Sequence, residues 1–323
     1  MKMNLMFRLL LLSVAARSVE VKLSLRRVGA RGSPQDHRAA AGSPGPPRDH
    51  RRALGCVDAL AAEGRFTFTA DGPRLHCGVF FIGEPTEVIS VEFRALDIDC
   101  SRGDFVKVFD GWVLNGEIFP SKLDHPLPLR ERYVDYCASS MRDRVWSSQN
   151  VAMMFFRIHT AGRGFSITLR KMTVPFPCNI IAQSPEGRFT MVIPHQRRNC
   201  SFSIIYPVEI QILDFKLSQS HSNDAPLQRS RAGCSAASDF VQILGGSIID
   251  TSEMFPMADV CNALNGQTVQ MKIGCDNIAV RMVSSGNYIS AVSFRFRALH
   301  RHELHKFREN DVEDFCSSKQ IKI

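Results

Sequence analysis

The sequence predicts an all-β chain built as two tandem antiparallel β-sandwiches, and three observations carry that expectation. The first is an internal duplication. Glu63-Gly-Arg-Phe-Thr67 recurs as Glu186-Gly-Arg-Phe-Thr190, 123 residues later, and Cys77 and Cys200 keep the same spacing. Cys56 and Cys178 lie 122 apart, and Gly103-Asp-Phe-Val-Lys-Val-Phe-Asp-Gly111 is echoed 135 residues on by Ser238-Asp-Phe-Val-Gln-Ile-Leu-Gly-Gly246. A period of about 125 residues belongs to whole domains and is too long for a solenoid of short units. The second is alternation. Ile89, Val91 and Phe93 interleave with Ser90, Glu92 and Arg94; Phe165, Ile167 and Leu169 with Ser166, Thr168 and Arg170; Val292, Phe294 and Phe296 with Ser293, Arg295 and Arg297. Period 2 marks strands with one buried face. The third is punctuation: Asp71-Gly-Pro73, Asp110-Gly111, Gly162-Arg-Gly164 and Gly245-Gly246 break these runs, and long helical periodicity is missing. Many short strands with frequent turns read as antiparallel sandwiches, and 323 residues suit two of them.

Taken in order, residues 1–18 have the layout of a secretory signal peptide. Lys2 and Arg8 supply positive charge, Leu9 to Ala16 is a short apolar run, and small residues follow. That run is far below the roughly 20 residues a membrane-spanning helix needs, and no later segment reaches it; Val151-Ala-Met-Met-Phe-Phe156 is among the longest. Residues 19–52 read as a flexible basic linker. The first domain is placed at 53–173 and the second, with a C-terminal extension, at 174–323. A secreted, extracellular protein without a membrane span is the expectation.

Charge narrows the function classes. Residues 1–55 hold 11 Lys/Arg against 3 Asp/Glu, which accounts for the whole formal charge of +8. Residues 56–323 carry 29 of each sign. A nucleic-acid binder concentrates positive charge on its folded face, so that class is set aside.

All ten cysteines lie between Cys56 and Cys316. None forms Cys-x-x-Cys and no Cys/His spacing fits a zinc finger, so no metal is expected. In an oxidising compartment they read as five disulfides. Ten cysteines allow about 945 pairings by simple counting. Bonds kept within a repeat, with equivalent cysteines pairing equivalently, give Cys56–Cys77, Cys100–Cys137, Cys178–Cys200 and Cys234–Cys261. Cys275–Cys316 is left to tie the tail onto the second sandwich. One N-glycosylation acceptor occurs, Asn199-Cys200-Ser201.

The repeat unit resembles the CUB domain, an all-β jelly-roll sandwich: a Cys, an Asp-aromatic-Val strand ending in Asp/Gly-Gly, a second Cys, and a closing Gly-Phe strand. The second copy departs from it where Gly245 stands in place of Asp110. From about Arg51 onward the chain resembles the corticotropin-releasing factor binding protein family, on the stretches 51–60, 65–77, 103–112, 147–159, 194–208 and 274–286, with all ten cysteines in register. Residues 24–50 lie outside that resemblance.

The resemblance implies a secreted glycoprotein that captures corticotropin-releasing factor and urocortin-type peptides and keeps them from their receptors. It implies the same sequential disulfides. It associates binding with an Arg and an Asp in the pattern Arg-Arg-Ala-Leu-x-Cys-x-Asp, here Arg52 and Asp58. Gly55 stands where the family tends to carry a basic residue, which implies a looser strand or lower affinity. Read from the residues alone, Arg52 is a solvated linker arginine. A rigidly held Arg and Asp beside a disulfide would nonetheless lose little ordering entropy on binding a helical peptide, and an apolar groove should supply most of the affinity.

Other chemistries find little support. Some CUB domains bind calcium through three carboxylates, and Asp97 and Asp104 fit two positions, but the third falls near His159-Thr160 and, in the second repeat, Ser284-Ser285. Calcium wants six to eight oxygens, so no cofactor is expected. His302-Glu-Leu-His305 has its histidines three apart, not the four of a zinc helix, and reads as a solvated charged stretch. No nucleophile elbow or phosphate-cradling loop occurs, so the chain is read as a non-enzyme. Ser218 to Gly233 reads as a long exposed loop, cleavable at Arg229 and Arg231. The rival reading is a non-catalytic adhesion or assembly module that holds a larger extracellular protein.

Overall fold

Alternation along the sequence becomes two-faced strands in the structure, a computed structural model that describes residues 51–73, 76–114, 116–138, 144–217, 234, 238–261, 269–300, 302–304 and 316. The expected signal peptide, nearly all of the linker and the 218–233 loop lie outside the described residues. The first strand, Arg51–Ala53, begins inside the stretch assigned to the linker. Arg51 and Arg52 are therefore strand residues: they pair in parallel with Arg65 and Phe66.

The front half packs two five-stranded sheets. One runs in the order Arg51–Ala53, Gly64–Thr69, Gly164–Thr173, Glu87–Asp97, Arg144–Trp146. The other runs Val57–Leu60, Cys77–Ile82, Val151–Arg157, Phe105–Asp110, Tyr133–Asp135. Their facing sides meet in a core that includes Phe66, Phe68, Val79, Phe81, Ile89, Val91, Met154, Phe156, Phe165 and Ile167. The back half repeats the plan. A five-stranded sheet (Ile180–Ala182, Arg197–Ile204, Asn277–Ser285, Phe240–Gly246, Phe255–Val260) packs on a four-stranded one (Glu186–Pro194, Ile289–Ala298, Val208–Lys216, Val269–Ile273). Phe202, Ile210, Ile243, Val280, Phe294 and Phe296 are among its core side chains.

Both halves carry the same irregularity. The register slips between Ser166 and Ile167 opposite Ala95 and Phe93, leaving Arg94 as the extra residue. In the second copy it slips between Ile212 and Asp214. A bulge re-aims its extra side chain. Arg94 joins Glu92 and Thr168 on the solvent side of its sheet, with Nε 3.1 Å from Thr168 Oγ1 and Nη1 3.0 Å from Glu92 Oε1.

The disulfides are Cys56–Cys77, Cys100–Cys137, Cys178–Cys200, Cys234–Cys261 and Cys275–Cys316, the pairing that the repeat suggests. The last explains the departure of the second copy at Gly245. A Cβ there would sit 2.8 Å from Cys275 Sγ, so the bond that anchors the tail occupies the space that Asp110 fills in the first copy.

The two apolar runs that do not alternate have a different cause. Along Cys77–Ile82 and Val151–Arg157, Val79, Phe81, Ala152, Met154 and Phe156 face the front core, while Phe80, Ile82, Val151 and Met153 point the other way. They pack with Trp112, Phe119, Ile181 and Ile249, two of which belong to the back half. These strands are buried on both sides, and such strands read as continuous apolar runs.

Polar bonds close the same seam. Asn150 Nδ2 donates to Ile181 O and its Oδ1 accepts from Ile181 N, each at 2.9 Å. Asp124 accepts from Arg281 Nε and from Thr251 Oγ1, both at 2.6 Å, with its side chain fully buried. The Asp124 carbonyl accepts from Asn179 Nδ2 at 3.1 Å.

Candidate ligand-binding site

The chain crosses from one front sheet to the other within a few residues. Arg51–Ala53 runs along Gly64–Thr69, Leu54 turns inward and donates its N–H to Thr67 O at 2.8 Å, and Cys56 is bonded to the buried Cys77. Val57–Leu60 then runs along Cys77–Ile82 in the opposite sheet. This crossing brings Arg52 and Asp58 together. Arg52 Nη2 lies 3.0 and 2.9 Å from the two carboxylate oxygens of Asp58. Asp58 also accepts from Ala59 N at 2.9 Å and Gly55 N at 3.4 Å. The two residues are thus one neutral unit across the end of the sandwich, fixed by the disulfide between them.

Arg52 remains 47% exposed and Asp58 13%. With its arginine open to water, the pair contributes about 0.2–1 kcal/mol, so its orientation matters more than its strength. The contact with Asp58 uses one guanidinium nitrogen, Nη2, and a guanidinium can grip a second carboxylate with its other N–H donors.

Gly55 is not dictated by the backbone. Its φ lies outside the left-handed region, and a Cβ would meet only Val57 O, at 3.5 Å. Gly55→Arg should leave stability unchanged or raise it by up to about 1 kcal/mol, because glycine's only effect here is on the unfolded chain. Denaturant melts check this; a loss above about 1 kcal/mol would show that the crossing is tighter than described.

The remaining polar clusters close on themselves. Asp104, a suggested calcium ligand, has a fully buried side chain. Its Oδ1 accepts from His159 N at 2.9 Å and from His159 Nδ1 at 2.8 Å, and its Oδ2 from Asp99 N at 2.9 Å. Asp97, the other suggested ligand, is 69% exposed and lies 3.8 Å from Arg163. Among the described residues no group of three or more His, Cys, Asp or Glu could hold a metal ion. In the second copy Asp239 takes the place of Asp104 and is satisfied by Ser285 N at 2.8 Å and Ser290 Oγ at 2.6 Å.

Burial, the largest single influence on Asp104, pushes its pKa up, but the bonds from Asp99 and His159 outweigh it and hold the carboxyl below its ordinary value of 3.8. Asp239 is depressed in the same way, burial again being outweighed by its serine partners. A group depressed in the fold stabilises it above the unfolded-state pKa, and that contribution is lost as pH falls through the folded-state value. The protein should therefore lose stability below about pH 4. Asp104→Asn should be less stable at pH 7 and flatten the acid limb of the stability curve. An unchanged acid limb in that variant would contradict the assignment.

Asp110, His125 and Ser148 form a cluster with the residue types of a hydrolytic triad. Both Asp110 Oδ2 and Ser148 Oγ lie on His125 Nε2, at 3.1 and 3.2 Å, and Nδ1 accepts from Leu127 N at 3.0 Å. A triad needs the carboxylate on one ring nitrogen and the hydroxyl on the other. This cluster is a structural network beneath the loop that carries Asp124.

Asn199 lies within Arg197–Ile204, and its Nδ2 donates to Leu123 O at 2.7 Å across the seam. Glu303, read from sequence as part of a solvated stretch, is instead held on the outer face of the four-stranded sheet. Arg297 grips both its oxygens at 2.9 Å, with Lys272 at 2.7 Å. The Arg297 and Lys272 bonds and the His300 amide depress its pKa strongly.

Fold and pair together define a class: a disulfide-stapled tandem of mainly antiparallel β-sandwiches that presents a surface ion pair. Among solved structures, the CUB1-EGF-CUB2 domains of rat MASP-1 align over 75% of this chain and 100% of that one, at 12% identity and a TM-score of 0.25. The chain belongs to the corticotropin-releasing factor-binding protein family. Its residues 48–173 match the N-terminal domain of that family and 180–305 the C-terminal domain. The corticotropin-releasing factor-binding proteins of Homo sapiens and Ovis aries are 53% and 54% identical to it over 266 residues. That stretch is 82% of this chain and 82% and 81% of theirs. The protein of the same name from Xenopus laevis is 54% identical over 265 residues, 81% of each chain.

Proposed function

We propose that the protein is a secreted carrier that binds corticotropin-releasing factor and urocortin-type peptides without chemical change, and so limits receptor activation. The observation that carries this reading is the identity of more than half of 266 aligned residues, 82% of the chain, to proteins named for binding corticotropin-releasing factor. Five disulfides and the absence, among the described residues, of any helix able to cross a membrane accord with an extracellular setting. In this reading residues 1–18 are removed as a signal peptide and Asn199 carries a glycan. Arg52 and Asp58 supply part of the contact surface, the pair exchanging its internal bond for bonds to the peptide.

Calorimetric titration with corticotropin-releasing factor and with urocortin tests it. Saturable binding at or below micromolar peptide is expected, weakened about tenfold or more in Arg52→Ala and Asp58→Ala. Arg52→Ala should melt within about 1 kcal/mol of the parent, since Arg52 is about half exposed. No saturable heat with either hormone would favour the adhesion-module alternative.

A further inference from the structure

The register of the front sheet that begins with Arg51–Ala53 assembles a basic surface from residues far apart in sequence. Arg51 stands opposite Arg65, Arg65 opposite Thr168, Thr168 opposite Glu92, and Glu92 opposite Arg144. This is one row across all five strands, on the side away from the core. The next row holds Arg170, Ser90 and Trp146, and the next Met172 and Val88. The bulge adds Arg94 to the first row. Five arginines thus share one sheet face, four of them from residues 56–323, whose 29 basic and 29 acidic residues balance overall.

The carboxylate within the row, Glu92, is shared by two of these arginines. Glu92 is clamped between Arg94 at 3.0 Å and Arg144 at 2.8 Å, and hydrogen bonding from Arg144 depresses its pKa. Glu63, at the edge, accepts from Lys171 N at 2.7 Å. Asp97 sits at the far end beside Arg163. One corner is apolar: Trp146 is 43% and Met172 50% exposed, with the Arg144 guanidinium 6.0 Å from the Trp146 ring centre.

We propose that this face is the docking surface for an acidic, amphipathic segment of the bound peptide, its carboxylates on the arginine row and its apolar side chains on Trp146 and Met172. The inference rests on the peptide-binding reading above and gives that reading a location. Strands about 4.8 Å apart, with same-face residues about 6.8 Å apart along each, make the patch roughly 20 by 15 Å. That is room for about three helical turns. Arg51 ends the row on the strand that also carries Arg52, whose side chain takes the opposite face of that strand and reaches Asp58. A sulfated polysaccharide would engage the arginines but has no apolar groups for the corner, and the pairing of charge with apolar surface favours a peptide.

The chain supplies its own reporter. Of its two tryptophans, Trp112 is 3% exposed and Trp146 is open. Fluorophore-labelled corticotropin-releasing factor is added to the full chain, with anisotropy reading binding and tryptophan emission reading place. Binding should shift the emission to shorter wavelength and cut its quenching by acrylamide at least twofold, and Trp146→Phe should abolish both changes. Arg144→Glu/Arg170→Glu should weaken binding at least tenfold. The single exposed change Arg170→Gln should weaken it severalfold, with a shallower salt dependence. Saturable binding that leaves Trp146 quenching unchanged, with Arg170→Gln binding as the parent does, would overturn the location while leaving the function intact. Heparin shielding Trp146 where the peptide does not would overturn it in favour of a polysaccharide. No anisotropy change in the parent protein would sink the peptide-binding reading, and this inference with it.

Discussion

Asp124→Ala is expected to destabilise the protein by about 3–5 kcal/mol, the typical effect of removing one partner from a buried ion pair. Its carboxylate is fully buried on the front side of the seam, and Arg281 and Thr251 from the back half both point into it. Removing it strands the Arg281 guanidinium, which is only 11% exposed. The loss should also change the form of the transition. The parent, joined by this pair, by Asn150 and by the shared apolar layer, should unfold in one cooperative step; the variant should show two. Asp124→Leu/Arg281→Met, which removes both charges, should recover much of the loss, because two apolar side chains do not leave an unpaired charge. Equal losses in the single and double variants, or a loss below about 1 kcal/mol, would mean that the seam does not depend on this pair.

Removal of the Cys56–Cys77 bond by Cys56→Ser/Cys77→Ser is expected to have the next largest effect. The bond joins residues 21 apart, which in the chain-entropy account is worth about 3 kcal/mol. It also fixes the crossing between sheets that holds Arg52 against Asp58, so hormone affinity should fall together with stability. Cys234–Cys261, with a separation of 27 in the back sandwich, is the control. Its removal should cost similar stability and leave affinity close to the parent's. Equal losses of affinity in both variants would mean that the crossing has no special part in binding.

Much of this architecture could be read in the sequence because duplication and alternation are local or repeated signals. The paired cysteines followed from copying one domain's arrangement onto the other, and alternating runs such as Ile89 to Arg94 named their buried faces correctly up to the bulge. The seam was not legible. Asp124 and Arg281 are 157 residues apart and Asn150 and Ile181 31 apart, with no spacing that announces them. A trace was present: Val151 to Phe156 fails to alternate because both its faces are buried, one in the core and one against the back half. Family resemblance singled out Arg52 and Asp58, but their contact with each other was not legible, since nothing in a six-residue separation says that a chain will cross between sheets there. The arginine row was hidden for the same reason, its members being collected from five strands by pairing register.

The most direct test of the whole account is photo-crosslinking of corticotropin-releasing factor, carrying a photoreactive residue at successive positions, to the intact protein, with the adducts mapped by mass spectrometry. Adducts should fall on residues 51–60 and on the strands Glu87–Asp97, Arg144–Trp146 and Gly164–Thr173. Adducts confined to the back sandwich, or none at saturating peptide, would contradict it.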